Sequence, residues 1–274
     1  MIDKLSDRLK TVADMCGRNV RVLADVGCDH GRLGISLLAE GRTLKVIGMD
    51  LREGPLSRAR ENAARSGLKG DRFETRLSDG LDALKPGDAD VIVMAGIGGV
   101  LMCRLLARGI GVAKKAARLV LSPQSHIESV RELLDAEGFV FIDERMCREG
   151  GKYYTVMSVR HESVEPFGVM YRTSHTLSDE ELFFGPVLIK KGEPLFYDYV
   201  REMRDKAKKR LSEINRKNDR DVIKDGPENL KKSTGTAAGI EPGAAHEEGY
   251  DPSEHFERLL ASAEKILGKG SESR

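Results

Sequence analysis

Between residues 20 and 160, short β-branched runs alternate with stretches whose apolar residues recur every three or four positions. "VRVLADV" predicts a strand, "GRLGISLLAEG" a helix, "LKVIGMD" a strand and "GPLSRARENAARSG" a helix closed by Gly67. "DRFETRLSDG", "DADVIVMAG", the helical "GVLMCRLLARG", the strand "ARLVLSP" and the helix "SHIESVRELLDAEG" continue the alternation. Strands alternating with helices imply βαβ units and a parallel sheet. The pattern changes in "FVFIDERMCREGGKYYTVMSVRH", where two strand-like runs meet at Gly150 and Gly151 with no helix between them, which predicts a hairpin. The expected fold class is α/β, a mostly parallel seven-stranded sheet of Rossmann-like type finished by an antiparallel hairpin.

A second region is expected after residue 161. Its first part, "ESVEPFGVMYRTSHTLSDEELFFGPVLIKKGEP", is broken by Gly and Pro and predicts one short helix near Ser178. From Pro194 to Lys217 apolar residues fall at Phe196, Val200, Met203, Ala207, Leu211 and Ile214, a narrow seam close to a heptad. A second seam runs through Phe256, Leu259, Leu260, Ala263, Ile266 and Leu267. Residues 226–250 between them are rich in Gly, Ala, Pro and Glu and read as a disordered loop. The chain thus divides into residues 1–161 and a C-terminal helical, coiled-coil-like hairpin domain over 162–274.

Composition changes this picture little. The 274 residues are 40% hydrophobic and 32% charged, with a formal net charge of only +1. Any attraction to nucleic acid must therefore come from local patches. No apolar run approaches the roughly 18 residues of a membrane span, and "MIDKLSDRLK" does not read as a signal peptide. Cys16, Cys28, Cys103 and Cys147 are scattered without a C-x-x-C pair, which argues against a disulfide framework or metal site and fits a reducing cytoplasm.

The candidate chemistry sits at predicted strand ends, where ligands of open α/β sheets bind. In "VLADVGCDHGRL", Gly27 lets backbone approach a ligand closely, but Asp25 and Asp29 would repel a pyrophosphate. The same carboxylates attract an ammonium or a sulfonium, and both charges occur on S-adenosylmethionine. The alternative is that Asp25 or Asp29 merely caps the helix beginning near Gly31. Asp50 ends the second strand, 23 residues after Gly27, where a carboxylate can accept both ribose hydroxyls of an adenosine. Asp79 in "LSDG" is placed to accept from an adenine amino group, or else simply serves an Asp-Gly turn. The fourth strand ends in "MAGIGG", a small uncharged edge with no side chain able to take a proton. A doubly wound sheet closed by a hairpin, with three acidic strand ends, resembles the Rossmann-like methyltransferases that use S-adenosylmethionine.

The order "LSDRLKTVA", "ADVGCDHGRL", "DLREGPLSRARENA", "RLSDGL", "MAGIGGVLM", "LVLSPQ" and "EGGKYYTV" resembles the bacterial tRNA (adenine-22, N1) methyltransferase family, TrmK, over about residues 4–160. The resemblance implies a methyl-donor domain, a C-terminal helical domain and tRNA as substrate. It implies donor contacts by Asp25, Gly27, Asp29, Asp50, Leu51, Asp79, Gly80 and the edge Ala95, Gly96, Ile97 and Gly98. Arg8, in the N-terminal Leu-Ser-x-Arg-Leu element, is implied as a contact to tRNA. Two departures stand near the active face. Arg32, Leu33 and Gly34 replace a more usual Tyr and Leu-Pro, and "LSPQ" replaces a more usual Gln-Pro-Asn.

The reaction implied is displacement at the sulfonium methyl by adenine N1, whose lone pair is free in the neutral base. Asp29 is the candidate to stabilise the developing cation; alternatively His30 accepts a proton from the exocyclic amine, or else it is simply hydrogen-bonded structure in the turn. Arg32 would stack on the base in place of the family aromatic. N1 lies on the Watson–Crick edge, so the base must be unpaired or flipped out. Residues 197–217 hold eight Lys or Arg against four acids, which is either a solvated helix face or marks Lys206, Lys209 and Arg210 as candidate phosphate contacts beside Arg8 and Arg32. The rival readings are a methyltransferase of a small molecule or protein, and an RNA-binding module without catalysis. The sequence leaves the oligomeric state open.

Overall fold

The computed structural model describes residues 4–68, 70–162, 176–224 and 252–272. The expected loop 226–250 lies outside the described residues. Along the first part of the chain run α1 (Asp7–Cys16), β1 (Val20–Val26), α2 (Arg32–Ala39), β2 (Thr43–Asp50), α3 (Glu53–Arg65) and β3 (Phe73–Leu77). Then follow β4 (Val91–Ala95), α4 (Gly99–Arg108), α5 (Ile110–Ala113), β5 (Arg118–Ser122), α6 (Ile127–Ala136), β6 (Phe139–Glu149) and β7 (Lys152–His161).

The seven strands form one sheet in the order β3-β2-β1-β4-β5-β7-β6. The first five pair in parallel, and β7 runs antiparallel to both β5 and β6. Alternation along each buried strand feeds two cores, because successive side chains point to opposite faces. Val22, Ala24, Ile47, Ile92, Met94 and Leu121 join Met102, Leu105 and Leu106 of α4 and Val130 and Leu134 of α6. Leu23, Val46, Val93 and Val120 join Val12, Ala13 and Met15 of α1 and Leu33, Leu37 and Leu38 of α2. Helices therefore cover both faces, and the strand order reverses between β1 and β4. That switch opens a crevice at the carboxyl ends of these strands.

Two short helices, α7 (Asp179–Phe184) and α8 (Pro186–Lys191), pack on this first unit. The expected start near Ser178 is met: Ser178 caps α7 and, with Glu181, forms a capping box. Helix α8 breaks the expected connector, and a buried ion pair explains its place. Arg131 of α6 and Glu144 of β6 are 1% and 0% exposed and meet at 3.0 Å. Arg131 also donates to the carbonyls of Leu182 and Phe183, while Glu144 accepts from the backbone N–H of Val187 at the start of α8. This staple carries the first compact unit on to Phe196, with the second covering Tyr197–Arg274. The first compact unit thus runs beyond residue 161, because α7 and α8 pack on α6 and β6.

In the second unit, α9 (Pro194–Lys224) extends the expected helix by two turns, and α10 (Pro252–Glu272) carries the second seam. Val200 and Ala207 are buried, as are Leu259, Ala263 and Ile266. Tyr197 packs by Gly270, Lys208 pairs with Glu264 at 2.9 Å, and Ile214 and Phe256 line one cleft. Partners that descend along α10 as they ascend along α9 make the two helices antiparallel.

Candidate active site

Every expected donor-site residue stands at the carboxyl edge of β1, β2, β3 or β4, or in the turn that follows. Because β3, β2, β1 and β4 are neighbours in that order, Asp79, Asp50, Asp25 with Gly27, and the Ala95–Gly98 edge form one row.

The turn after β1 is fixed from below. The N–H groups of Gly27 and Cys28 both donate to the carbonyl of Met49 at 2.8 and 2.9 Å. Asn62 of α3 donates to the carbonyl of His30 at 2.9 Å. Gly27 has a φ of 76°, a conformation that suits a residue without Cβ, and a methyl group there would meet nothing within 4 Å. That open side is the room a ligand needs. Asp29 also takes the left-handed region, with a φ of 49°, which turns its carboxylate into solvent. Its Oδ1 lies 3.4 Å from Nε2 of His30. Helix α2 is capped by Gly31 with no side-chain capping bond, so neither Asp25 nor Asp29 is the cap that the alternative reading required.

Asp25 is 5% exposed. Burial, and then the nearby charge of Asp29, push its carboxyl up to about 7. Asp50 keeps a side chain 12% exposed. One of its oxygens accepts from the N–H of Arg52 at 3.0 Å, which holds the carboxylate at the strand end. Leu51 beside it is an apolar side chain 66% exposed. Asp79 is paired with Arg108 of α4 at 2.8 Å, and Arg108 also grips Asp82. The turn "LSDG" is closed by Ser78, whose hydroxyl donates to the carbonyl of Gly80, and Gly80 packs on Leu105. This set fits a cationic amino acid joined to an adenosine: carboxylates at two points, an open glycine between them and an apolar flank.

The edge after β4 is joined to two other elements. Gly96 donates to the carbonyl of Ser122, and Gln124 donates to that of Ile97. Gly98 precedes α4, and Gly99 packs so closely on the turn after β5 that a methyl group would stand 2.3 Å from the Ser125 carbonyl oxygen. A methyl group on Gly96 would meet Arg8 Nη1 at 3.3 Å. Arg8 thus reaches this edge from α1, although 87 residues separate it from Ala95 in the chain. Its backbone N–H is held by Glu149 at 2.9 Å, its guanidinium lies 5.6 Å from the Tyr154 ring centroid, and among the described residues its buried Nη1 has no hydrogen-bond partner. Hydrogen bonds from the start of α1 hold the Glu149 carboxyl below its ordinary range. Arg32 is exposed, with its guanidinium donating to the carbonyl of Lys4 at 3.1 Å. Tyr154, Gln124, Asn62 and Arg108 escape sequence reading as site residues; only the unusual "SPQ" marked the neighbourhood of Gln124.

Lys206, Lys209 and Arg210 are exposed on α9 in the second unit. Lys206 pairs with Glu202 at 2.7 Å and Arg210 with Glu213 at 3.0 Å. Among the described residues no group of His, Cys, Asp and Glu is arranged to hold a metal ion, and no helix is long and apolar enough to cross a membrane.

A doubly wound sheet with acidic strand ends and an open glycine turn defines a methyltransferase domain, and the family model of that description matches residues 5–157. With more than half of its length matched, the chain belongs to the methyltransferase-domain family. Within it, the chain is 36% identical over 154 residues to the tRNA (adenine(22)-N(1))-methyltransferase of Bacillus subtilis (strain 168). That match covers 56% of this chain and 64% of the relative, just under two thirds of its length. The solved structure of Streptococcus pneumoniae Sp1610 in complex with S-adenosyl-L-methionine is similar at a TM-score of 0.72 and 26% identity, covering 96% of this chain and all of that one. The crystal structure of the B. subtilis m1A22 tRNA methyltransferase TrmK, at 24% identity and a TM-score of 0.71 over 96% and 99% of the two chains, shares the fold. The resemblance read in the sequence to the tRNA (adenine-22, N1) methyltransferase family is borne out.

Proposed function

We propose that this protein is an S-adenosylmethionine-dependent methyltransferase acting on N1 of an adenine in tRNA, the adenine at position 22. One observation carries the reading: the acidic ends of β1 and β2, with open Gly27 between them, make a row that suits a cationic nucleoside and repels a phosphate. Asp50 would accept the ribose hydroxyls, Leu51 would flank the adenine, and Asp25 would lie toward the positive amino-acid end. Asp79, Gly80 and the Ala95–Gly98 edge complete the wall. When bound, S-adenosylmethionine supplies an electrophilic methyl group, and N1 of neutral adenine has the lone pair to accept it without a base. The protein's task is then mainly to align the two, an effect that supplies roughly 7–11 kcal/mol where geometry is good.

Asp29, exposed at the mouth, offers negative charge to the cationic product, and His30 beside it can accept a proton from the exocyclic amine. Arg8 and Arg32 face the incoming tRNA, and Lys206, Lys209 and Arg210 would contact its backbone. Such an enzyme works where tRNA is found, in the cytoplasm. The test is to incubate unmodified tRNA with methyl-labelled donor and to map the product by mass spectrometry. N1-methyladenine at position 22 is expected; label on protein or on a small molecule instead would overturn the reading.

A further inference from the structure

Gly96 is where the edge after β4 meets α1 and the turn after β5. The atoms nearest to a methyl group placed on it would be Arg8 Nη1 at 3.3 Å, Arg8 Nη2 at 3.8 Å and Gln124 Nε2 at 3.8 Å. Arg8 Nη1, the nearest of these atoms, is a buried polar side-chain atom without a hydrogen-bond partner among the described residues, while Ser122 meets Gly96 only through its main-chain carbonyl. A buried cationic donor left unsatisfied beside an exposed amide at Gln124 marks a place where a polar ligand can adjoin the protein. On the proposed reading, that ligand is the target adenine.

The two side chains offer different chemistry. Arg8 has donors only, and a guanidinium by itself favours guanine, whose O6 and N7 both accept. Its plane is also engaged over Tyr154. Gln124 carries an acceptor and a donor on one planar group, and its backbone is fixed by the bond from its N–H to the carbonyl of Ile97 at 2.9 Å. Adenine must turn N1 toward the methyl donor, which commits its Watson–Crick edge. The edge that remains offers the 6-amino donor beside the N7 acceptor, the pair an amide side chain reads with two hydrogen bonds.

We propose that Gln124 is the specificity-determining residue of the base site: its side-chain oxygen accepts from the 6-amino group and its NH2 donates to N7, leaving N1 free. Guanine would present two acceptors, of which the amide serves only one. This assignment rests on the proposed adenine methylation and adds the residue that selects the base.

The experiment replaces the methylated adenine of a synthetic tRNA by 7-deazaadenine, which keeps N1 and the amino group and lacks the N7 acceptor. Wild-type kcat/KM is expected to fall about 2- to 13-fold, the loss of one of the two hydrogen bonds. Gln124→Leu should methylate both tRNAs equally, and Gln124→Glu, which keeps the acceptor for the amino group but turns a second acceptor toward N7, should methylate the 7-deazaadenine tRNA at least as well as the adenine tRNA. The same comparison by equilibrium binding, with S-adenosylhomocysteine present, should show the same coupling without turnover. Donor affinity measured by calorimetry shows that each variant is folded. A wild-type enzyme indifferent to N7, or variants that keep the full penalty, would overturn the role of Gln124 while leaving the methyltransferase reading intact. A wild type that methylates no tRNA adenine ends both.

Discussion

At the scale of a residue, Asp25 shows how burial becomes a pH dependence. Its carboxyl, pushed up to about 7 by desolvation and then by Asp29, is protonated in the free protein at mildly acid pH. A folded-state value above the unfolded one means that this group's contribution to stability is fully present below the ordinary carboxylate range. It is lost as pH rises through about 7. Binding of a cation reverses the preference and draws the proton off. Donor affinity should therefore rise with pH between about 6 and about 8, and calorimetry in buffers of different ionisation enthalpy should detect a released proton. Asp25→Asn should bind donor more weakly, with no slope in that window, and its thermal midpoint should fall less as pH rises. A wild-type affinity flat across the window would mean that Asp25 does not sense the donor's charge. Asp25 itself was legible as an acidic strand end. Its burial was not, because exposure depends on what α1 and β4 bring around it. The same holds for Asp79, whose partner Arg108 lies 29 residues away on α4.

At the scale of the element, period decided what sequence could show. Strands of five to eight residues in alternation with helices of eight or more stood out, and the hairpin through Gly150–Gly151 was plain because no helical stretch intervened. Helix α5, with four residues, and α8, with six, are shorter than the window in which a 3.6-residue period emerges. Helix α1 buries Val12, Ala13, Met15 and Cys16, all in its second half, so its amphipathic signal is truncated. The Arg131–Glu144 staple was hidden for another reason: charges on a helix and a strand ordinarily read as solvated faces. Because both ends are buried, removing one leaves the other without its counter-charge. Arg131→Leu should destabilise the protein by about 3–5 kcal/mol in chemical denaturation, whereas Arg131→Leu combined with Glu144→Leu should cost less than Arg131→Leu alone. Additive losses in the double variant would show that the pair is not coupled.

At the scale of the whole molecule, a net charge of +1 gives the proposed tRNA substrate no general field to follow, so attraction would rest on where cations are concentrated. Residues 197–217, with eight Lys or Arg against four acids, are such a place, and the seam through Val200 and Ala207 leaves Lys206, Lys209 and Arg210 on the solvent side. The ion pairs of Lys206 with Glu202 and of Arg210 with Glu213 are exposed, and such pairs contribute only about 0–1 kcal/mol, so phosphate can displace them. If α9 follows the tRNA backbone, each phosphate it neutralises adds about 0.7–0.9 to the slope of log affinity against log salt. The triple variant Lys206→Glu, Lys209→Glu, Arg210→Glu should bind tRNA more weakly at low salt and with a shallower slope. Its donor affinity should be unchanged, since the residues proposed to hold the donor belong to the first unit. Lys85→Glu with Lys115→Glu, at exposed positions of that unit, controls for overall charge and should move both quantities little. Fluorescence anisotropy across a salt series reads the slopes directly. Equal affinity and equal slope for wild type and triple variant would leave α9 and α10 with packing alone as their role, and would assign tRNA binding to the surface around Arg8 and Arg32.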